Sequence, residues 1–296
     1  MDERQLETLH TIFFVVSGVV GAMLGSFLNV CVYRMPKGLS VVSPGSACPK
    51  CATPIRWYDN FPVLSWVLLG AKCRTCKAPI HWQYPLVELI TCLLFLGVYW
   101  KFGMTLASPV YMALVASLVL VTFIDLADWT IPNEVTFPGM PLGIVFSVVA
   151  MLYPESGLLL DEPLMSFVGL LVGGGSLYAL DMLSLLIMKK RGMGFGDVKL
   201  LAMLGAFFGP LGVLVIVVVA SFFGSAIGIT MILLHRGKPT EGPAPKEGET
   251  DDDAMTPGGH YLPFGPYLVL GGIVYLFYGP QIIQRYLEYI NVPGAM

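Results

Sequence analysis

Gly192-Met193-Gly194-Phe195-Gly196-Asp197-Val198-Lys199 joins two long apolar runs, one ending at Ile187 and the other opening with Leu200-Leu201-Ala202-Met203-Leu204. An aspartate at the mouth of such a run needs an account. A carboxylate near hydrocarbon is disfavoured by several kcal/mol unless it lines a polar cavity or finds a partner. Glycines remove side chains and let another backbone approach closely, as an extended peptide substrate would require. The alternative is an interfacial loop with a solvated aspartate.

Working outward, the chain reads as a polytopic membrane protein. Of its 296 residues 55% are hydrophobic and only 12% charged, with a mean hydropathy of +0.73; soluble domains carry about 25% charged residues. A net charge of -3 and the lack of a long basic face exclude a nucleic-acid partner. The start, Met1-Asp2-Glu3-Arg4, is acidic, unlike a cleaved signal peptide, and the first apolar run is long enough to remain as a span.

Eight apolar segments are expected, at roughly 11–33, 83–100, 104–126, 135–153, 164–188, 198–209, 211–234 and 262–284. A span needs about 20 residues, so 198–209 is short. Gly209-Pro210 separates it from its neighbour and predicts a hairpin, since proline breaks a helix interior. Gly18, Gly21 and Gly25 are spaced for close helix packing, and Gly173-Gly174-Gly175 could serve the same end or loosen its helix. Cys31 and Cys92 read as buried packing residues.

Orientation follows from Lys and Arg. The 34–82 loop holds seven, 189–199 holds four and 235–261 holds three, and all 14 fall on one side if there are eight spans. The positive-inside rule makes that side cytoplasmic and puts both termini outside. The acidic 154–163 loop is then external. The expected division is a first transmembrane helix (1–33), a cytoplasmic metal-binding loop domain (34–82), a transmembrane core (83–235), a disordered acidic linker (236–261), and a last helix with its tail (262–296).

In the loop, Cys48-Pro49-Lys50-Cys51 and Cys73-Arg74-Thr75-Cys76 form two C-x-x-C pairs. Each can place two thiolates on one ion, and together they complete a tetrahedral zinc shell with no open position, which makes the role structural. Two disulfides are the competing reading, disfavoured in a reducing cytosol. His81 reads as an ordinary interfacial histidine.

Glu88, Asp125, Asp181 and Asp197 lie in or at the ends of spans. Two whole spans separate Asp125 from Asp197, so both face one side and topology permits them to meet. Two carboxylates sharing a site cannot both ionise easily, which equips them to activate water against a peptide bond. Asp128 could replace Asp125 in this argument. Glu88 and Asp181 read as polar contacts between helices.

The chain resembles the type IV prepilin peptidases, the leader peptidases of type IV pilus and type II secretion systems. The matches, in order, are Gly25-Ser26-Phe27-Leu28-Asn29-Val30 with Tyr33-Arg34-Met35-Pro36, the double C-x-x-C loop, Tyr84-Pro85-Leu86-Val87-Glu88, the Asp125…Pro132 motif, and Gly194-Phe195-Gly196-Asp197-Val198-Lys199. G-x-G-D alone is shared with presenilin-like intramembrane proteases. The resemblance implies an aspartic peptidase of the bacterial inner membrane, with its site facing the cytoplasm. It removes the basic leader from prepilins and pseudopilins, then N-methylates the new terminus with S-adenosylmethionine. It also implies that Asp125, seven before Pro132, and Asp197 are the catalytic pair. Gly194, Gly196 and Lys199 are then supporting residues. Ile131-Pro132-Asn133 departs from the Leu-Pro-Asp of many members, and Arg191 from their Glu. No Rossmann-type glycine motif is readable, so the cofactor-binding residues are unassigned. A transporter with an ion path, and a non-catalytic zinc-bearing assembly protein, are the readings from other classes.

Overall fold

The computed structural model describes residues 2–189, 194–234 and 263–289. Arg191, Gly192 and the acidic 236–261 linker lie outside the described residues. Among the described residues the regular structure is helical, with no strand beyond two isolated bridges in the 34–82 loop. Seven helices there are long and apolar enough to cross a membrane. The chain divides into two compact units, Met1–Ile124 and Asp125–Met296.

The first unit is built on α1 (Glu3–Arg34) and α3 (Gln83–Phe102). A capping box starts α1: the Gln5 amide donates to Asp2 Oδ1 at 2.8 Å, and the Asp2 amide donates to Gln5 Oε1 at 3.2 Å. The glycine stripe is the α1–α3 seam. A Cβ at Gly25 would stand 2.7 Å from Glu88 Cα, and one at Gly21 would stand 2.9 Å from Phe95 Cβ. Only hydrogen fits there, which is how small residues drive helix association where lipid offers no hydrophobic contrast. Asn29 Nδ2 donates to the Tyr84 carbonyl at 3.0 Å near one end of the seam. His10 and the Tyr99 hydroxyl meet at 3.2 Å near the other, so the pair runs antiparallel. Cys31 is buried as expected, whereas Cys92 is only half-buried. Between α1 and α3 lies the 35–82 loop with one short helix, α2 (Leu64–Leu68). α4 (Ala107–Asp128) follows and carries the chain to the second unit.

The second unit holds α5 (Asn133–Leu152), α6 (Pro163–Met188), α7 (Phe195–Leu234) and α8 (Gly265–Tyr289). As one straight rod, the 40 residues of α7 would reach about 60 Å, twice the roughly 30 Å hydrocarbon core. Gly209 breaks it, with φ 71° and ψ 179°, just before Pro210. A Cβ at Gly205 would come within 3.0 Å of Val213 Cγ2. Eight helical residues would separate these positions by about 12 Å, so the arms 195–208 and 210–234 fold back as the hairpin that Gly209-Pro210 predicted. Among the described residues seven apolar helices, one of them broken at Gly209, thus supply eight apolar arms. Ser166 Oγ donates to the Ala206 carbonyl at 2.6 Å, and Gly173 of the 173–175 triplet packs on the Leu201 backbone, so α6 lies close against the first arm. Gly175 meets nothing within 4 Å.

Candidate functional site

α4 ends three residues after Asp125. Trp129 then takes a left-handed φ of 55°, its amide donating to the Asp125 carbonyl at 3.0 Å. This turn brings the buried Ile131 back onto the end of the helix. Asp197 sits in the first turn of α7, its amide donating to the Gly194 carbonyl at 3.1 Å. Asp125 is 5% exposed and Asp197 9%; Ile131 packs both against Gly196, the neighbour of Asp197, and against Gly265, which touches the Asp125 carboxylate. The two acids are therefore brought together. Asp128, by contrast, is only half-buried, at the very end of α4. Both paired acids lie at helix ends rather than mid-span, contrary to the ion-path reading. The first arm of α7, at about 21 Å, is shorter than the hydrocarbon core, so one of its ends lies within it.

A third element enters the site that the sequence did not reveal. Gly265, buried as the first residue of α8, stands against the Asp125 carboxylate, where a Cβ would collide with Oδ2. The positive end of the α8 dipole thus faces Asp125, which otherwise sits at the unfavourable C-terminal end of its own helix. Asp197 has the N-terminus of α7 for the same purpose. Even so, Asp125 Oδ2 is buried without a hydrogen-bond partner among the described residues. A buried acceptor left unsatisfied is disfavoured by about 1–3 kcal/mol, and such an atom marks where water or a substrate would bind.

The two described glycines of the 192–196 stretch differ. Gly194 is exposed, and among the described residues a Cβ there would meet only Asp197 Oδ2 and the Gly196 amide, each at 4.0 Å. Gly196 is filled: a Cβ would stand 3.1 Å from Ile131 Cβ, so its bareness serves packing. Lys199 turns away from the pair. Its ammonium donates to Asn133 Oδ1 and lies 5.6 Å from the ring centroids of Phe137 and Phe195. It ties the starts of α5 and α7 together. Two residues apart on a helix means about 200° of rotation, which is why it cannot share the face of Asp197.

The cysteine loop forms a second site. The Sγ atoms of Cys48, Cys51, Cys73 and Cys76 all lie within 4.8 Å of one another, and Cys48 and Cys76 are 3.8 Å apart. A tetrahedron of sulfurs about 2.3 Å from a central ion has edges near 3.8 Å, so the cluster fits an S4 metal shell, and all four are free thiols rather than disulfides. The two knuckles repeat one geometry. The Cys48 and Cys73 amides donate to the carbonyls of Thr53 and Ala78, and Ala52 and Lys77 take φ of 55° and 58°. Thr53, through its hydroxyl and its amide, holds the Cys51 thiol down at about 6. Arg74 grips Asp59 with both prongs, at 2.6 and 2.8 Å, and keeps that carboxyl below the usual carboxylate range. His81 caps the start of α3, its Nδ1 accepting from the Gln83 amide at 3.2 Å. Glu88 is buried and reaches the loop as well as α1: it accepts from the Val63 amide at 2.7 Å and bonds Ser26. Asp181 is buried in α6.

Family models match both parts. The bacterial peptidase A24 N-terminal domain covers residues 19–102, with the cysteine loop. The type IV leader peptidase family model covers 112–229, with Asp125 and Asp197. Proteins named prepilin leader peptidase/N-methyltransferase are 34% identical in Myxococcus xanthus, over 92% of this chain and 92% of theirs, and 33% identical in Pseudomonas aeruginosa, over 95% and 96%. The chain belongs to the type IV leader peptidase family. No solved structure matches it. Gly265 lies outside both matched regions of this leader peptidase. It could have been suspected only as a glycine opening an apolar run between two prolines, Pro263 and Pro266.

Proposed function

We propose that this chain cleaves the basic leader from prepilins and pseudopilins and then N-methylates the new terminus, as the double name of its relatives describes for them. The observation that carries the reading is the buried pair Asp125 and Asp197, gathered around Ile131 and Gly265, with Asp125 Oδ2 lacking a partner among the described residues. In this reading, one carboxylate takes a proton from water as its oxygen adds to the scissile carbonyl carbon. The other, protonated, donates to the carbonyl oxygen. Collapse breaks the C–N bond, and the leaving amine takes a proton from the pair. The exposed Gly194 admits the substrate backbone, and Gly265 fixes the position of Asp125.

The 14-to-3 division of Lys and Arg supports a cytoplasmic site. The domain division is the one drawn from the sequence: a zinc loop at 34–82, a peptidase core at 83–235, and a last helix after the 236–261 linker. Zinc on Cys48, Cys51, Cys73 and Cys76 would be structural, since four thiolates close the shell. Methyl transfer would use S-adenosylmethionine. Among the described residues no strand supports a Rossmann-type cradle, so no residue is assigned to it and no step is derived.

The test is incubation of the protein in bilayers with a prepilin, reading product masses with and without S-adenosylmethionine. Loss of the leader mass supports the peptidase, and a further methyl mass supports the second activity. An unchanged prepilin contradicts both.

A further inference from the structure

The loop between α1 and α3 carries an apolar face that nothing in its own unit covers. Leu64, Val67 and Leu68 of α2 are 63%, 62% and 84% exposed. Their i, i+3, i+4 spacing puts them on one side of the helix. The other side is committed to the loop. Ser65 is buried and donates to the Tyr58 carbonyl at 3.2 Å, and Trp66 Nε1 donates to the Ile80 carbonyl at 3.2 Å.

The depth of this face is fixed by one bond. Val63, the residue before α2, gives its amide to Glu88. Val63 holds a φ of 60° and ψ of −49°, a strained conformation for a β-branched residue that persists only where surroundings over-determine it. Glu88 is the sixth residue of α3, whose 20 residues reach about 30 Å and so just match the hydrocarbon core. Glu88 therefore sits about 7.5 Å inside the end of α3, and the start of α2 is drawn to that level. Leu89 and Leu93, further along α3, are likewise exposed. The surrounding loop is basic: residues 34–82 hold seven Lys or Arg against the single acid Asp59, and Arg74 neutralises that one.

We infer that α2 is an interfacial anchor, with Leu64, Val67 and Leu68 immersed in the acyl chains of the loop-side leaflet and the basic rim resting on anionic headgroups. A helix lying in the interface buries its apolar side to about 5–10 Å, the depth that the Val63–Glu88 bond sets. The loop is thereby part of the membrane surface, and the metal cluster is held beside it.

The experiment places a genetically encoded fluorescent amino acid at position 68, and in a second protein at position 67, in the full chain reconstituted in phosphatidylglycerol-containing vesicles. Gly45, exposed and with open space around its Cα, carries the same label as the aqueous reference. Expected at 67 and 68 is quenching by lipids bearing a nitroxide on the acyl chain, with loss of quenching by aqueous iodide; Gly45 should show the reverse. Iodide quenching at 67 and 68 equal to that at 45 overturns the inference. So does shielding that appears only after a substrate with an apolar segment is added, because the face would then belong to a protein partner.

Discussion

Gly265 of α8 and Asp125 of α4 are in contact so close that the glycine hydrogen occupies the only space a Cβ could take, against Asp125 Oδ2. A methyl there must push either the carboxylate or the start of α8. Overpacking of this kind is unfavourable by about 1–3 kcal/mol, which corresponds to roughly 5- to 150-fold in rate if it falls on the reacting geometry. Gly265→Ala should therefore slow prepilin cleavage within that range while insertion and zinc content stay normal. Gly175→Ala, where nothing lies within 4 Å, should leave cleavage unchanged. Equal rates for Gly265→Ala and the parent protein would remove Gly265 from the site.

Lys199 acts through Asn133. Asn133→Ala removes the acceptor of its ammonium. A partly exposed charge-assisted bond is worth about 1 kcal/mol, so cleavage should fall about fivefold as the starts of α5 and α7 lose their tie. Asn133→Asp restores an acceptor and should restore the rate. If Asp is as slow as Ala, the tie is not what matters at this position.

The cysteine cluster should hold about one zinc per chain, the stoichiometry of a closed S4 shell. Joint Cys48→Ser and Cys51→Ser replacement should abolish it and expose residues 45–80 to protease, because metal binding supplies much of the folding energy of so small a unit. Metal analysis and limited proteolysis read this directly. Disulfides without metal in the parent protein would contradict it.

The Arg74–Asp59 pair gives a pH prediction. Arg74 lowers the Asp59 value below that of the unfolded chain, so the contribution is fully present above the ordinary carboxylate range and disappears only as pH falls through the depressed value. Arg74→Met should therefore speed loop proteolysis by the same factor at pH 5.5 as at pH 8, and added salt should shrink the effect. An effect confined to pH 8 would point to another titrating group.

Much of this was legible in the sequence, for identifiable reasons. Apolar runs of membrane length are an unambiguous signal, and Gly209-Pro210 combined a left-handed turn with a helix breaker. The cysteine spacing specified its own cluster. An even number of spans placed Asp125 and Asp197 on one side. Gly265 was hidden because a glycine carries no chemistry of its own and α8 follows the long 236–261 linker. The tether from Glu88 to the Val63 amide was hidden because a backbone donor leaves no trace in residue type. The direction of Lys199 was available from the helical period alone, which sets it opposite Asp197.

The central claim is that Asp125 and Asp197 act as one catalytic unit. Removing either member of such a unit costs nearly as much as removing both. The decisive measurement is the product mass of a prepilin incubated with Asp125→Asn, Asp197→Asn and the double variant, each shown to insert and to retain its zinc. Abolished leader release by both single variants, no further loss in the double, and substantial release by Asp128→Asn are the predicted results. Near-normal release by either Asp125→Asn or Asp197→Asn would contradict the two-aspartate mechanism.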